Sequence, residues 1–275
     1  MEQQDNTTLS LQNLNLQQET QPEQKLTVEM EPPLPLNNVE QIIGYVFKNK
    51  ELLKEAFTHA SYKAEDGLSY ERLEYLGDSV LNHLIAKLHY TLYNNMAPGE
   101  LTRLRAANVD TEALARASLR YGLHKYLRHR KPLLDVQIQE FMDGIMEYPS
   151  HSYGMIDPPK VLADILESLI GAIFVDTDSS MDDTWQVVER LLQPLITPEN
   201  LMQHPVAKFH EACQKSGLKP YANDLWSKTG EIEIYINDEL IGRGCYKLKK
   251  IIAVNRAADD AYKNQFGNKD GGIGA

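Results

Sequence analysis

The chain has 275 residues, enough for one mid-sized domain and a smaller one, and 42% of them are hydrophobic, so a core can be buried. A net charge of −11 looks wrong for a nucleic-acid binder, which makes its distribution the point to examine. The longest apolar run, Leu169 to Val175, falls well short of the roughly 18–20 residues that cross a bilayer, so a soluble chain without membrane association is expected.

Residues 1–37 carry one lysine, Lys25, against six acids, are rich in Gln and Asn, and end near Pro32, Pro33 and Pro35. This composition predicts a disordered acidic tail. It has neither the apolar core of a secretory signal nor the Arg-rich, acid-poor character of a transit peptide. A nuclear or cytoplasmic chain is expected. Two cysteines, Cys213 and Cys245, form no CxxC pair and read as free thiols.

From Val39 the apolar residues recur at helical spacing, first Ile42, Ile43, Val46 and Phe47, then Leu52, Leu53, Ala56 and Phe57. Further helices are predicted over Tyr70–Tyr93, Gly99–Asn108, Thr111–Gly122, Asp135–Glu147, Lys160–Val175 and Met181–Leu195, with no strand before residue 200. Pro194, Pro198 and Pro205 mark a boundary. Beyond it the pattern predicts a helix over Ala207–Ser216 and a strand over Glu231–Asn237, where Ile232, Ile234 and Ile236 alternate. A turn at Asn237–Asp238, a return strand over Leu240–Leu248 and a helix over Lys249–Phe266 follow. Residues 205–275 carry eleven Lys and Arg against nine acids, so the mildly basic end is masked by the acidic remainder.

The segment Glu71-Arg72-Leu73-Glu74-Tyr75-Leu76-Gly77-Asp78-Ser79-Val80-Leu81 places Glu71, Glu74 and Asp78 at i, i+3 and i+7, stacked on one helix face. Leu73, Leu76, Val80 and Leu84 form the apolar face. Stacked carboxylates repel one another, and alone such a triplet is most simply a solvated acidic face. A second helix alters that balance. From Val161 to Ala172 the only charges are Asp164 and Glu167, at i and i+3, and acids in so apolar a helix are costly to bury unless paired or metal-bound. Two such helices crossing face to face would gather hard oxygen ligands suited to Mg2+, and Gly77 and Gly171 would let the backbones approach closely. His59 reads as a packed or hydrogen-bonded residue rather than a ligand. His83, His89 and His124 form no metal-binding set, and Ser79 has no histidine base.

The eleven residues from Glu71 to Leu81 resemble the most specific motif of the ribonuclease III family. Leu53–Tyr62, Gly99–Arg105 and Asp164–Asp176 resemble further segments of the same domain, in the same order. The stretch from Pro158 to Asp164, with the long segment before it, is most similar to the ribonuclease III-like and Dicer-like proteins of plants. The resemblance implies an all-α endonuclease domain over residues 38–196. It makes Glu74, Asp78, Asp164 and Glu167 the metal-binding carboxylates, Asp78 and Glu167 the catalytic pair among them, and Glu71 an auxiliary acid. Mg2+ would be the cofactor, with Mn2+ as a substitute. Double-stranded RNA would be the substrate, cut by a homodimer to give 5′-phosphates and short 3′ overhangs. Two departures stand out. Pro98 replaces a Glu frequent in bacterial members, and Asn108-Val109-Asp110 reverses the usual Val-Asn order.

Residues 205–268 resemble a double-stranded RNA-binding domain of α-β-β-β-α type. The similarity lies in Pro205–Gly217, Glu231–Asn237, Gly242-Arg243-Gly244 and the lysines Lys247, Lys249 and Lys250 before Ala257-Ala258. Lys247, Lys249 and Lys250 are the candidate phosphate-binding residues. About ten residues separate Pro220-Tyr221 from Glu231, too few for the family's full first strand and for the loop with its Gly-Pro-x-His contact. Val254 also stands where a lysine is usual. A non-catalytic RNA-binding or scaffold protein keeping the same fold is the alternative, and the intact acids weigh against it. A His-Asp phosphohydrolase lacks the histidines it would need.

Overall fold

The computed structural model describes residues 34–62 and 67–267. The expected disordered tail lies outside the described residues as far as residue 33, and helix α1 (Asn37–Ile43) already covers its last position. Helices α2 (Lys50–Ala56), α3 (Glu71–Leu92), α4 (Pro98–Val109), α5 (Thr111–Arg120), α6 (Leu134–Glu147), α7 (Lys160–Asp176) and α8 (Met181–Leu192) follow. Each predicted helix is present, with ends that agree to within three residues. α8 stops at Leu192, ahead of Pro194, because the residue before a proline is pushed out of helical geometry. A single bridge between Thr58 and Arg128 is the only strand-like pairing before residue 200 among the described residues.

α7 is the hub. Its apolar residues run all the way round, as in a helix buried on every side, and Leu162, Ile165, Leu166, Leu169, Ile170 and Ile173 are wholly buried. α2, α3, α5 and α8 pack around it. Against α3 the contact is backbone on backbone. A Cβ at Gly77 would lie 1.8 Å from the Glu167 carbonyl oxygen, and one at Gly171 would lie 2.2 Å from that of Leu73. This is the close approach that the two glycines predicted. The last residue of α7 ties down the start of the domain: the Asp176 carboxylate accepts from the Tyr45 hydroxyl (2.6 Å) and from the backbone N–H of Lys48 and Asn49 (both 2.8 Å).

The apolar stripe of α3 is used up within the chain. Leu73, Val80 and Leu84 are buried and Leu76 is half-buried against the same core. Leu73, Val80 and Leu84 are therefore not available to a second copy. What α3 turns outward instead is Tyr75 and Tyr90, 80% and 78% exposed.

After Pro205 the chain forms α9 (Pro205–Lys215), β1 (Tyr221–Asp224), the short α10 (Trp226–Thr229), β2 (Glu231–Ile236), β3 (Glu239–Cys245) and α11 (Lys250–Phe266). The sheet is antiparallel in the order β1-β2-β3, with Tyr221 opposite Tyr235 and Glu233 opposite Arg243. Asn237 and Asp238, both at positive φ, make the two-residue turn between β2 and β3. Phe209, Ile232, Ile241, Ala257 and Ala261 share a second apolar core. Two details differ from expectation. The first strand is short as the spacing implied, four exposed residues held by pairing to β2, but the span after it holds a helical turn, α10, that was not expected. The return strand ends at Cys245, so Lys247 and Leu248 lie in the turn before α11 rather than in β3. Cys213 and Cys245 are both free.

The α3–α7 contact can be tested directly. Gly171→Ala adds a methyl group where a backbone oxygen sits, and it should cost at least about 2 kcal/mol, in the range of overpacked cores. Chemical denaturation reads the change, and an unaltered midpoint would mean that the helices do not meet at these glycines.

Candidate metal centre

The α3–α7 crossing brings the acids of the two motifs together. Carboxylate oxygens of Glu74, Asp164 and Glu167 all lie within 4.8 Å of one another. Asp78, one turn further along α3, lines the same cleft of about 330 Å3, together with Glu71. Asp78 accepts a hydrogen bond from the Asn82 amide (2.8 Å), and Glu71 accepts one from the Ser69 hydroxyl (2.9 Å). Asp164 is only 5% exposed. Its second oxygen accepts from the buried Tyr70 hydroxyl at 3.0 Å, which fixes the carboxylate on the cleft side.

The electrostatics show how crowded these groups are. Burial, reinforced by the charges of Asp78, Asp164 and Glu74, pushes the Glu167 carboxyl up to about 7. Burial also raises the Tyr70 phenol, with the neighbouring Asp164 adding to the effect. One cation already answers the acids. The Lys160 ammonium pairs with Glu74 at 2.6 Å and with Asp164, four residues along the same helix. Burial would lower its pKa, but its bonds to Asp164 and Glu74 outweigh that and hold it above the usual lysine range. A buried carboxylate, two more within ligand distance and a charge that has to be recruited to balance them form a donor set suited to a hard divalent cation.

The other predicted residues lie elsewhere. His59 accepts from the Ser61 backbone N–H at 2.8 Å and packs edge-on to Tyr70, as a hydrogen-bonded residue would. Lys249 pairs with Asp157 at 2.5 Å and Lys250 pairs with Asp224. Lys247 makes no ion pair among the described residues. Lys160 and Tyr70 were not singled out from the sequence. The spacing of Lys160, one helical turn before Asp164, was the available signal. The run Arg128-His129-Arg130-Lys131 was also passed over, although it is four consecutive basic or titratable residues. Two of its arginines lie over the Tyr62 ring, at 4.4 and 5.7 Å from its centre.

Comparison with known proteins agrees with this geometry. The Ribonuclease III domain model matches residues 71–178, which begins at the first acid of α3 and ends just past α7. A rice protein (Oryza sativa subsp. japonica), Ribonuclease 3-like protein 3, is 48% identical over 227 residues, covering 81% of this chain and 76% of that one. The chain belongs to the ribonuclease III family. Rice Ribonuclease 3-like protein 2 is 38% identical over 84% of this chain and 75% of its own length. Endoribonuclease Dicer homolog 1 of Arabidopsis thaliana is 42% identical over 74% of this chain, but the match spans only 11% of that longer protein. Membership makes the chain an endoribonuclease, in a family whose nucleases depend on metal.

Glu167 is crowded by like charges, so neutralising it should help the metal-free fold. In the presence of chelator, Glu167→Gln should be more stable than the parent at pH 7.5 by roughly 1–2 kcal/mol. Saturating divalent cation should reverse the order, because only the parent gains fully from binding. Melting curves with and without the ion measure both. A variant less stable than the parent in chelator would show that the carboxylates do not repel.

Proposed function

We propose that the chain hydrolyses double-stranded RNA at a divalent-metal centre held by Glu74, Asp78, Asp164 and Glu167, with Mg2+ as the resident ion and Mn2+ as a substitute. The observation that carries this reading is the meeting of carboxylates from α3 and α7 around the Lys160 ammonium. When bound there, the ion supplies positive charge against the negative charge that builds on a phosphodiester, and makes water a better nucleophile.

The chain's own residues do the rest. Glu74, Asp164 and Glu167 converge from two helices whose spacing is set by backbone contact, so the ligand positions exist before any ion arrives. Tyr70 holds Asp164 in place by its hydrogen bond. Asp78 completes the set from the next turn of α3, and Glu71 adds charge at the edge of the cleft. In the reaction a water oxygen bonds to phosphorus and the bond to the 3′ oxygen breaks. The 3′ oxygen leaves with a proton, giving a 5′-phosphate and a 3′-hydroxyl.

Two copies related by a two-fold axis would offer one site to each strand, which accounts for staggered cuts and short 3′ overhangs. The exposed Tyr75, beside Glu74 on α3, supports that face as the contact. In this reading residues 38–196 are the nuclease domain and residues 205–268 are a partial RNA-binding domain, in which Lys247 makes no ion pair among the described residues while Lys249 and Lys250 are paired within the chain.

Long duplex RNA incubated with the pure protein should be cut in Mg2+ and left intact in chelator. Glu167→Gln should lower the rate by more than about 100-fold while the protein stays folded. Cleavage by this variant at the parent rate would end the metal-centre assignment. Analytical ultracentrifugation should show a dimer at micromolar concentration, and Tyr75→Glu should shift it toward monomer. A strict monomer that still makes staggered cuts would rule out the symmetric route.

A further inference from the structure

A second, larger groove of about 850 Å3 begins at the same acids, Glu71, Glu74 and Asp164, and leads away from them between the helical domain and the C-terminal one. Lys131, from the segment before α6, and Lys247, from the turn between β3 and α11, both line it. Both are exposed, and neither makes an ion pair among the described residues. Asp157 and Glu140 also line it, but Asp157 is already taken, accepting from Lys249 and from the Tyr246 hydroxyl (3.3 Å).

The C-terminal domain contributes to this groove because it is seated on the segment between α6 and α7. Asn255, only 2% exposed, donates from its amide to the Gly154 carbonyl at 2.8 Å. Arg256 donates to the Met155 carbonyl at 2.9 Å and, through another nitrogen, to the Cys245 carbonyl at 3.0 Å, next to the turn that carries Lys247. The segment beneath is fixed in turn. Buried Glu112 accepts from the Ser152 backbone N–H (2.8 Å) and from its hydroxyl (2.6 Å), and pairs with Arg116. Gly154 has a φ of +88°, and a Cβ there would lie 2.5 Å from the Asn255 amide nitrogen. A glycine is thus required where α11 rests.

We propose that this seat makes one substrate track out of two domains: Lys131 and Lys247 grip phosphates of the RNA strand on its way to the carboxylates, and Asn255 and Arg256 are positioning residues that hold Lys247 at the groove. The ligand is the phosphodiester backbone, recognised by charge and without base sequence. Lys249 and Lys250 serve a different purpose, since their ion pairs with Asp157 and Asp224 brace the turn. The inference rests on the cleavage reading above.

The test separates the two. Duplex RNA binding is measured in the uncut Glu167→Gln chain as a function of salt. Lys131→Ala with Lys247→Ala should lower the slope of log affinity against log salt by about 2, whereas Lys215→Ala, on α9 outside the groove, should leave it alone. In the cutting chain the same pair should raise KM by about tenfold, with the loss in KM rather than kcat. Gly154→Ala, and independently Arg256→Met, should raise KM in the same direction and scatter the cut positions on a duplex of defined sequence, with melting curves confirming that both domains stay folded. An unchanged salt slope in the double lysine variant overturns the phosphate track. Folded seat variants that cut with unaltered KM and positions, or cut faster, overturn the seat. If the parent chain cuts no duplex at all, the cleavage reading fails, and the salt slope still decides whether the groove holds phosphates.

Discussion

The contact on which the rest of the molecule depends is the crossing of α3 and α7, where two peptide backbones touch with no side chain between them. Gly77 and Gly171 permit it, and the surrounding leucines and isoleucines hold it closed. A side-chain interface can relax when one residue changes; a backbone interface has almost no give. The carboxylates of Glu74, Asp164 and Glu167 project from turns adjacent to this contact, so their separation is inherited from main-chain geometry. The cost is visible in Glu167, whose carboxyl pKa is raised by burial and by three neighbouring charges. The fold concentrates like charge at its most rigid point, an arrangement expected of a site kept for chemistry rather than for stability.

Much of this could be read from the residues in order. Acids at i, i+3 and i+7 opposite an apolar face, a second helix with two acids in an otherwise apolar run, and a glycine in each define the crossing and the acids it gathers almost completely. That information is local, and helical periodicity carries it. Less could be read where a partner comes from far along the chain. Lys160 follows two prolines and opens a helix, the ordinary place for a solvated lysine, and only the crossing brings Glu74 to it, 86 residues away. Tyr70 looks like a residue preceding a helix until Asp164 is placed beside it. Strand β1 was hard to see because Tyr221–Asp224 is exposed along its whole length and owes its conformation to β2. The apolar face of α3 was legible from its spacing, but only the structure shows that α7 of the same chain covers it.

The lysines near the C-terminal helix show the same limit. Three basic residues within four positions suggest one function, yet they have separate surroundings. One is braced by the helical domain, one by β1, and one remains open to the groove. Composition treats them alike, and tertiary pairing distinguishes them.

Lys160 has a consequence for how the protein meets its ion. An ammonium paired with Glu74 and Asp164 means that the folded chain does not wait for a divalent cation to quiet its carboxylates. A cation binding at these carboxylates would exchange one positive charge for another, and its affinity would be that of a competition with the Lys160 ammonium. The internal ion pair would thus set a threshold that any incoming ion has to exceed.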